Sequence, residues 1–136
     1  MTARRNRPKT GFTLIEIIIV LTLIGILLGL AIPQYKYSLK KAREAVLKED
    51  LFVFRKLIGQ YYVDKNKYPT SLQALVDDGY LPKIPIDPMT KKADTWVEVR
   101  ENPNYEEMVP NMEFGIVDVH SGSKDKAIDG TTYDTW

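Results

Sequence analysis

Residues 12–32 read FTLIEIIIVLTLIGILLGLAI, an apolar run with one charged residue, Glu16. As an α-helix, about 21 residues rise roughly 30 Å, which is the thickness of the hydrocarbon core of a bilayer. Inserting an ionised side chain near the centre of such a helix costs about 3 kcal/mol. An acidic residue in a membrane helix therefore indicates a functional role, in which a positively charged partner offsets this cost. The run therefore predicts a membrane-spanning helix whose carboxylate needs a partner charge.

The residues ahead of this run are basic. Residues 1–11, the leader, hold four of the chain's 19 basic residues and none of its 18 acidic residues. Because basic flanks stay on the cytoplasmic side of a membrane, the leader is expected in the cytoplasm and the C-terminal region across the membrane. Basic and acidic residues alternate beyond the leader without forming a patch, so nucleic acid is not expected as a partner.

Three interpretations of the N-terminus are open. In the first, it is a secretory signal that is cleaved near Gly29-Leu30-Ala31 and releases an extracytoplasmic binding module. In the second it is an uncleaved membrane anchor, and in the third it is a specialised assembly segment. The run is longer than the apolar core of about 7 to 15 residues that a secretory signal has, and it contains Glu16. Both features argue against a simple secretory signal.

The third interpretation rests on the order of basic leader, Gly11 and FTLIE over residues 12–16. This order resembles the signature of type IV pilins and type II secretion pseudopilins. In that family a prepilin peptidase cuts after the glycine and methylates the new terminal amine. The resemblance implies cleavage between Gly11 and Phe12, N-methylation of Phe12, and a role in assembly for Glu16. In a filament, the Glu16 carboxylate would meet the Phe12 ammonium of a neighbour, neutralising two charges that are costly alone.

The helical pattern resumes after Pro33. Apolar residues recur at three- and four-residue steps, which predicts an amphipathic continuation over 34–62. The predicted stripe is Leu39, Ala42, Val46, Leu47, Phe54, Leu57, Ile58 and Tyr61. A capping box at Thr70–Gln73 predicts a short second helix near 71–78, and Gly79 suits its end.

Two later runs are typical of strands. Residues 95–99 (TWVEV) and 113–119 (EFGIVDV) alternate with period two and are expected to pair antiparallel. A sheet packed on the second half of the long helix would bury the apolar stripe. The prediction is an α+β fold in which a long N-terminal helix, with a membrane half and an amphipathic half, packs on a small antiparallel sheet. Its regions are a leader (1–11), a transmembrane or filament-core helix (12–33), the amphipathic continuation (34–62) and a globular periplasmic region (63–136).

Three features over residues 68–88 resemble the major pseudopilins in particular: Tyr68-Pro69, the short helix over 71–76, and the turn Pro85-Ile86-Asp87-Pro88. The resemblance implies a structural subunit of a type II secretion pseudopilus, a helical filament of many copies that drives protein export. It also implies an inner-membrane, single-pass location with a periplasmic C-terminal region. The implied partners are further copies, prepilin peptidase, minor pseudopilins, the inner-membrane assembly platform, and lipid before assembly. A type IV pilin for adhesion or motility is the alternative.

The tail from His120 to Trp136 resembles the C-terminal segment that wraps a calcium ion in many major pseudopilins. Calcium takes six to eight oxygen ligands. The candidate ligands are Asp118, Ser121, Asp125 and Asp129. The glycine-rich stretch of the family is missing, and Lys124 and Lys126 add positive charge. A solvated loop closed by Asp and Gly turns and pinned by Trp136 is therefore the competing interpretation.

No enzyme is expected. The chain has one histidine, no cysteine and no phosphate-binding GxxxxGK[ST] pattern. His120 and Ser121 are adjacent, but neighbours on a strand point to opposite faces, and a nucleophile needs a base held within hydrogen-bond distance.

Overall fold

The computed structural model describes residues 11–102 and 113–136. The elements in chain order are α1 (Leu14–Lys65), α2 (Leu72–Asp77), β1 (Val97–Arg100), β2 (Ile116–His120) and a 3-10 turn (Tyr133–Thr135). The predicted α+β class is confirmed. Most of the basic leader, and most of the residues between the two predicted strand runs, lie outside the described residues. The chain divides into two compact units, Met1–Ser38 and Leu39–Trp136.

In the first unit, α1 carries the apolar run. Every described residue from 11 to 38 is exposed, and Pro33 lies inside the helix as the sequence predicts. Within the described part of the chain, α1 is the one helix with a segment long and apolar enough to cross a membrane. A signal sequence would meet the same criterion. None of the described residues therefore covers the run.

In the second unit, the C-terminal part of α1 supplies the core. Its buried apolar residues are Leu47, Leu51, Phe54, Ile58 and Tyr61, a spacing of four and three that keeps them on one face. They form one cluster with residues of α2, β2 and the tail, and with Trp96 just before β1. The packing of the helix against the sheet is thus confirmed through β2, and the Phe54 and Trp96 rings meet nearly at right angles with centroids 5.0 Å apart.

The predicted stripe was partly wrong at its edges. Leu39, Ala42 and Val46 are exposed, and Leu51, which the prediction omitted, is buried. Successive helical residues are about 100° apart, so Val46 faces well away from Leu47. Glu44, three residues before Leu47, takes the position on the buried face that the prediction gave to apolar residues.

The second helix is capped one residue later than predicted. Ser71, not Thr70, is the N-cap, and its hydroxyl accepts a hydrogen bond of 3.1 Å from the amide of Ala74. Both residue types cap helices well, so the sequence alone does not decide between them. The predicted end at Gly79 is confirmed: Gly79 has a φ of +79°, and the amide of Tyr80 bonds the Leu75 carbonyl at 2.9 Å.

The two strands pair antiparallel, with Val97 opposite His120 and Glu98 opposite Val119. Both strands begin later than predicted. Trp96, which was predicted to lie in the first strand, precedes β1. Its side chain is buried in the core, where the indole N–H donates a hydrogen bond of 2.9 Å to the Pro85 carbonyl. Before β2, Gly115 lies so close to Tyr68 that a Cβ would overlap it.

Candidate functional site

Glu16 lies in the first turn of α1. Its amide donates a hydrogen bond of 3.3 Å to the Thr13 hydroxyl, so Thr13 acts as the N-cap. The first amides of a helix have no partners within it, and the helix macrodipole favours a carboxylate at this end. Thr13-x-x-Glu16 matches the first half of a capping box, a signal that the sequence carries and the prediction overlooked.

Phe12 and Glu16 share one face of this first part of the chain. They line a groove of about 240 Å³ with Ile17, Val20 and Leu21, and Glu16 is its one charged residue. Phe12 is 81 % exposed. The arrangement presents a carboxylate in an apolar surface, one helical turn from the residue that would become the new N-terminus.

Gly11 precedes this face. A Cβ added to Gly11 would meet nothing within 4 Å, and Gly11 is not among the glycines with positive φ. The fold therefore gives no reason for glycine at this position.

Three of the four C-terminal calcium candidates, Asp118, Ser121 and Asp129, have side-chain partners within the protein. Asp118 forms an ion pair of 2.7 Å with Arg55 and also accepts a hydrogen bond from the amide of Val119. Burial alone would raise the pKa of Asp118, but these hydrogen bonds and the Arg55 charge outweigh it, and the pKa is lowered. Asp129 accepts two hydrogen bonds from Thr131, at 3.0 and 2.6 Å, which lower the pKa of that carboxyl.

Ser121 is fully buried and donates a hydrogen bond of 2.6 Å to Asp87. The amide of Asp125 bonds Ser123 at 3.3 Å. Among residues 11–102 and 113–136, no group of three or more His, Cys, Asp or Glu side chains is placed to hold a metal ion. As placed, the four candidates do not form a common donor set. These partners favour the competing interpretation, and the calcium site stays a prediction.

The pair His120–Ser121 has no catalytic arrangement. The Ser121 hydroxyl donates to Asp87, while His120 Nδ1 contacts the Trp136 main-chain oxygen and Nε2 lies 3.8 Å from Asp118. The histidine and the serine therefore use different partners.

Glu44 joins the C-terminal segment to α1. Its carboxylate accepts hydrogen bonds of 2.8 Å from the Ile128 amide and 2.8 Å from the Tyr133 hydroxyl. Two further contacts run from α1 to the same segment: Lys40 donates to the Lys126 carbonyl at 2.7 Å, and Arg55 donates to the Trp136 main-chain oxygen at 2.8 Å. Sequence reasoning missed this network. Its one signal is that Glu44 falls on the buried stripe, three residues before Leu47.

Comparison with known proteins identifies the N-terminal segment and relatives of most of the chain. A family model described as the prokaryotic N-terminal methylation motif matches residues 6–32. No solved structure matches the chain. The matched residues include the predicted cleavage site and Glu16.

The relatives share one name. The type II secretion system core protein G of Pseudomonas aeruginosa is 35% identical over 100 residues, which cover 62% of this chain and 70% of that protein. The core protein G of Aeromonas hydrophila is 30% identical over 133 residues, 86% of this chain and 84% of the relative. The core protein G of Escherichia coli K12 is 29% identical over 101 residues, covering 62% and 70%. The chain therefore belongs to the type II secretion system core protein G family, the major pseudopilins.

Proposed function

We propose that this protein is made as a precursor, cleaved by prepilin peptidase between Gly11 and Phe12, N-methylated at Phe12, and assembled into the type II secretion pseudopilus. Before assembly it spans the inner membrane once, with its globular region in the periplasm and lipid covering the apolar run. The observation that carries the proposal is the position of Glu16 on the same apolar face as Phe12.

Cleavage changes the charge of this face. In the precursor, the Phe12 nitrogen belongs to a neutral peptide bond, whereas the α-amine of a processed chain has a pKa near 8 and is mostly cationic at neutral pH. An ammonium and a carboxylate in an apolar environment are each costly alone and attract each other strongly. Glu16 of one subunit pairs with the Phe12 ammonium of the next, which fixes the register between subunits more than it adds stability.

The remaining partners follow from assembly. Many copies pack into a helical filament, minor pseudopilins and an inner-membrane platform act with them, and export is the mechanical result. The chain lacks the GxxxxGK[ST] phosphate-binding pattern, so a separate ATPase supplies the energy. The periplasmic orientation is supported by the basic leader, which would remain in the cytoplasm.

The first experiment tests processing. Intact mass of the membrane-bound chain is expected to correspond to an N-methylated product that begins at Phe12. Gly11→Lys is expected to leave the precursor uncut. A product of normal mass from Gly11→Lys would refute the cleavage site, and a soluble product that begins near Ile32 would instead indicate a released binding module.

The second experiment tests Glu16. Glu16→Ala is expected to abolish filaments while the chain is still inserted in the membrane, because the terminal ammonium loses its partner. Glu49→Ala is the matched control, since Glu49 is an exposed acid of the same helix. Normal filaments from Glu16→Ala would overturn the role given to this carboxylate.

A further inference from the structure

A basic segment of α1 follows the apolar run directly. Residues 33–43, called the basic flank, hold four basic residues and no acidic residue. The four are Lys36, Lys40, Lys41 and Arg43. The flank lies on the side of the run opposite to the leader, where the positive-inside rule gives no reason for basic residues. Like charges four residues apart on a helix also repel each other, so Lys36 and Lys40 are unfavourable for α1 by itself.

The charge of the flank is not neutralised by the described residues. The cationic members of the ion pairs in this part of the chain are Arg55, Lys65, Arg100 and His120, none of which belongs to the flank. Lys36 and Lys41 are exposed. Lys40 donates a hydrogen bond to the Lys126 carbonyl, which is a neutral group, so its positive charge has no counter-ion there. The flank therefore presents positive charge that an anionic partner can neutralise.

Two tyrosines adjoin the first of these lysines. Tyr35 is 68% exposed and Tyr37 is 50% exposed. Successive helical residues are about 100° apart, so the two rings leave the helix about 200° apart, on nearly opposite sides. A protein partner would cover one side of a helix, whereas a lipid interface surrounds it. Tyrosine is enriched at this interface, because its ring is apolar and its hydroxyl is polar.

The position of the tyrosines fits the level of the lipid headgroups. Tyr35 and Tyr37 come three and five residues after Ile32, the last residue of the apolar run. In a helix these steps correspond to about 4.5 and 7.5 Å beyond the end of the run. The two rings would therefore lie just outside the hydrocarbon core when the run spans it.

The basic residues indicate which class of lipid is bound. Tyrosine rings suit the interface of any bilayer, but about four or more basic residues beside a membrane helix are typical of anionic lipid binding. Each such residue near an anionic surface strengthens binding about fivefold. Cleavage after Gly11 would remove the four basic residues of the leader, which leaves the flank as the basic segment beside the run.

We propose that the basic flank binds the headgroups of anionic phospholipids in the periplasmic leaflet of the inner membrane. Tyr35 and Tyr37 lie at the level of the headgroups, and the ammonium groups of Lys36 and Lys41 contact lipid phosphates. The proposal rests on the proposed function and deepens it, because it names the class of lipid that holds the chain before assembly. It requires no contact with another copy of the chain.

Lipid selectivity tests the role of the charge. The processed full-length chain is placed in phosphatidylcholine vesicles with a trace of either spin-labelled phosphatidylglycerol or spin-labelled phosphatidylcholine. The immobilised fraction of each label measures its preference for the surface of the protein. Phosphatidylglycerol is expected to be preferred at least about fivefold at low ionic strength, and less in high salt. The double substitution Lys36→Gln with Lys41→Gln is expected to lower this preference at least about threefold. Equal immobilisation of both lipids by the wild type would overturn the proposal.

A second pair of lysines provides the matched control. Lys56→Gln with Lys67→Gln removes the same charge from exposed lysines outside the flank, and its lipid preference is expected to equal that of wild type. If both double variants lose the preference equally, net charge attracts the lipid and the role of the flank is refuted. All four lysines are exposed, so the variants are expected to stay folded, which thermal unfolding checks.

A single spin label tests the position of the flank. The chain has no cysteine, so Ser38→Cys carries one nitroxide and leaves the tyrosines and the basic residues unchanged. Collisions of the nitroxide with oxygen, which dissolves in hydrocarbon, and with a water-soluble nickel complex measure its depth. The label is expected at the level of the headgroups, between a Leu28→Cys reference in the hydrocarbon and a Lys56→Cys reference in water. A label at position 38 that matches either reference would contradict the proposed placement.

Retention in the vesicles separates failure of this proposal from failure of the proposed function. If the chain stays in the vesicles during an alkaline wash but shows no preference for phosphatidylglycerol, only the binding of anionic lipid is refuted. If the wash removes the chain, both the single-pass location and this proposal are refuted. The filament test with Glu16→Ala is independent of both results, because Glu16 lies outside the flank.

Discussion

Glu44 and Tyr133 lie 89 residues apart in the sequence and are joined by a hydrogen bond of 2.8 Å from the tyrosine hydroxyl to the carboxylate. Both side chains are buried, with exposed fractions of 8% and 2%. The same carboxylate oxygen also accepts the Ile128 amide. These hydrogen bonds fasten the C-terminal segment to α1.

Removal of Glu44 is expected to be costly. Glu44→Ala leaves the Tyr133 hydroxyl and the Ile128 amide without their acceptor, and each unsatisfied buried donor costs about 1–3 kcal/mol. We expect the free energy of unfolding to fall by about 3 kcal/mol, measured by urea denaturation of the full-length chain in detergent. Glu49→Ala, an exposed acid of the same helix, is expected to change it by less than about 0.5 kcal/mol. Equal losses in the two variants would contradict the network.

Tyr133 is expected to make the protein sensitive to alkali. Burial raises the pKa of Tyr133, and the hydrogen bond to Glu44 raises it further. The unfolded chain loses this proton near pH 10, whereas the folded chain keeps it to higher pH. The stabilisation is therefore complete below pH 10 and declines as the pH rises above 10.

Tyr133→Phe isolates this effect. Above pH 10, the free energy of unfolding of the wild type is expected to fall more steeply than that of Tyr133→Phe, by about 1.4 kcal/mol per pH unit. Tyr35→Phe is the control, since Tyr35 is 68% exposed, and its curve is expected to follow the wild type. Parallel curves for wild type and Tyr133→Phe would show that Tyr133 titrates alike in both states.

Replacing two glycines of the second unit by alanine is expected to change the free energy of unfolding in opposite directions. In Gly115→Ala the new Cβ would overlap the Cβ and main chain of Tyr68, so the backbone must shift. We expect a loss of about 2–3 kcal/mol, the usual cost of overpacking. In Gly59→Ala the Cβ meets open space, and the better helix propensity of alanine is expected to add about 1 kcal/mol. The midpoints of urea denaturation check both values, provided that the dependence of the free energy of unfolding on urea concentration is the same in the variants and the wild type. Stabilisation by Gly115→Ala would contradict the close approach of Tyr68.

The sequence predicted the elements better than the contacts between distant segments. The long helix, the buried face with Phe54 and Ile58, the helix end at Gly79 and the antiparallel pairing all follow from local patterns. Ser71 and Thr70 are equally suited to cap α2, so the cap position depended on packing. The buried position of Glu44 was not predicted, because Glu44 is one of many charged residues between Lys40 and Asp50. Its partners Ile128 and Tyr133 are brought near it only by the tertiary fold.

At the N-terminus, a local motif singled out Gly11, Phe12 and Glu16 as candidate residues, and a family model matches the same segment. The prediction began the helix at Phe12 and overlooked the capping signal at Thr13, so it did not place Glu16 in the first turn. Thr13 supplies that boundary through its hydrogen bond to the Glu16 amide. The acid is therefore at the end of the apolar helix, where a charge costs less than near the centre.

The C-terminal loop is expected to hold its structure without calcium. Asp118, Ser121 and Asp129 each have a protein partner, and Glu44 closes the segment onto α1. A ligand at 100 times its dissociation constant adds about 2.7 kcal/mol to the native state, which raises the melting temperature by several degrees. We therefore expect thermal unfolding of the full-length chain to be the same in chelator and in millimolar calcium, with magnesium as the control. A rise of several degrees with calcium alone would support an ion in this loop, and loss of that rise in Asp125→Asn would locate it.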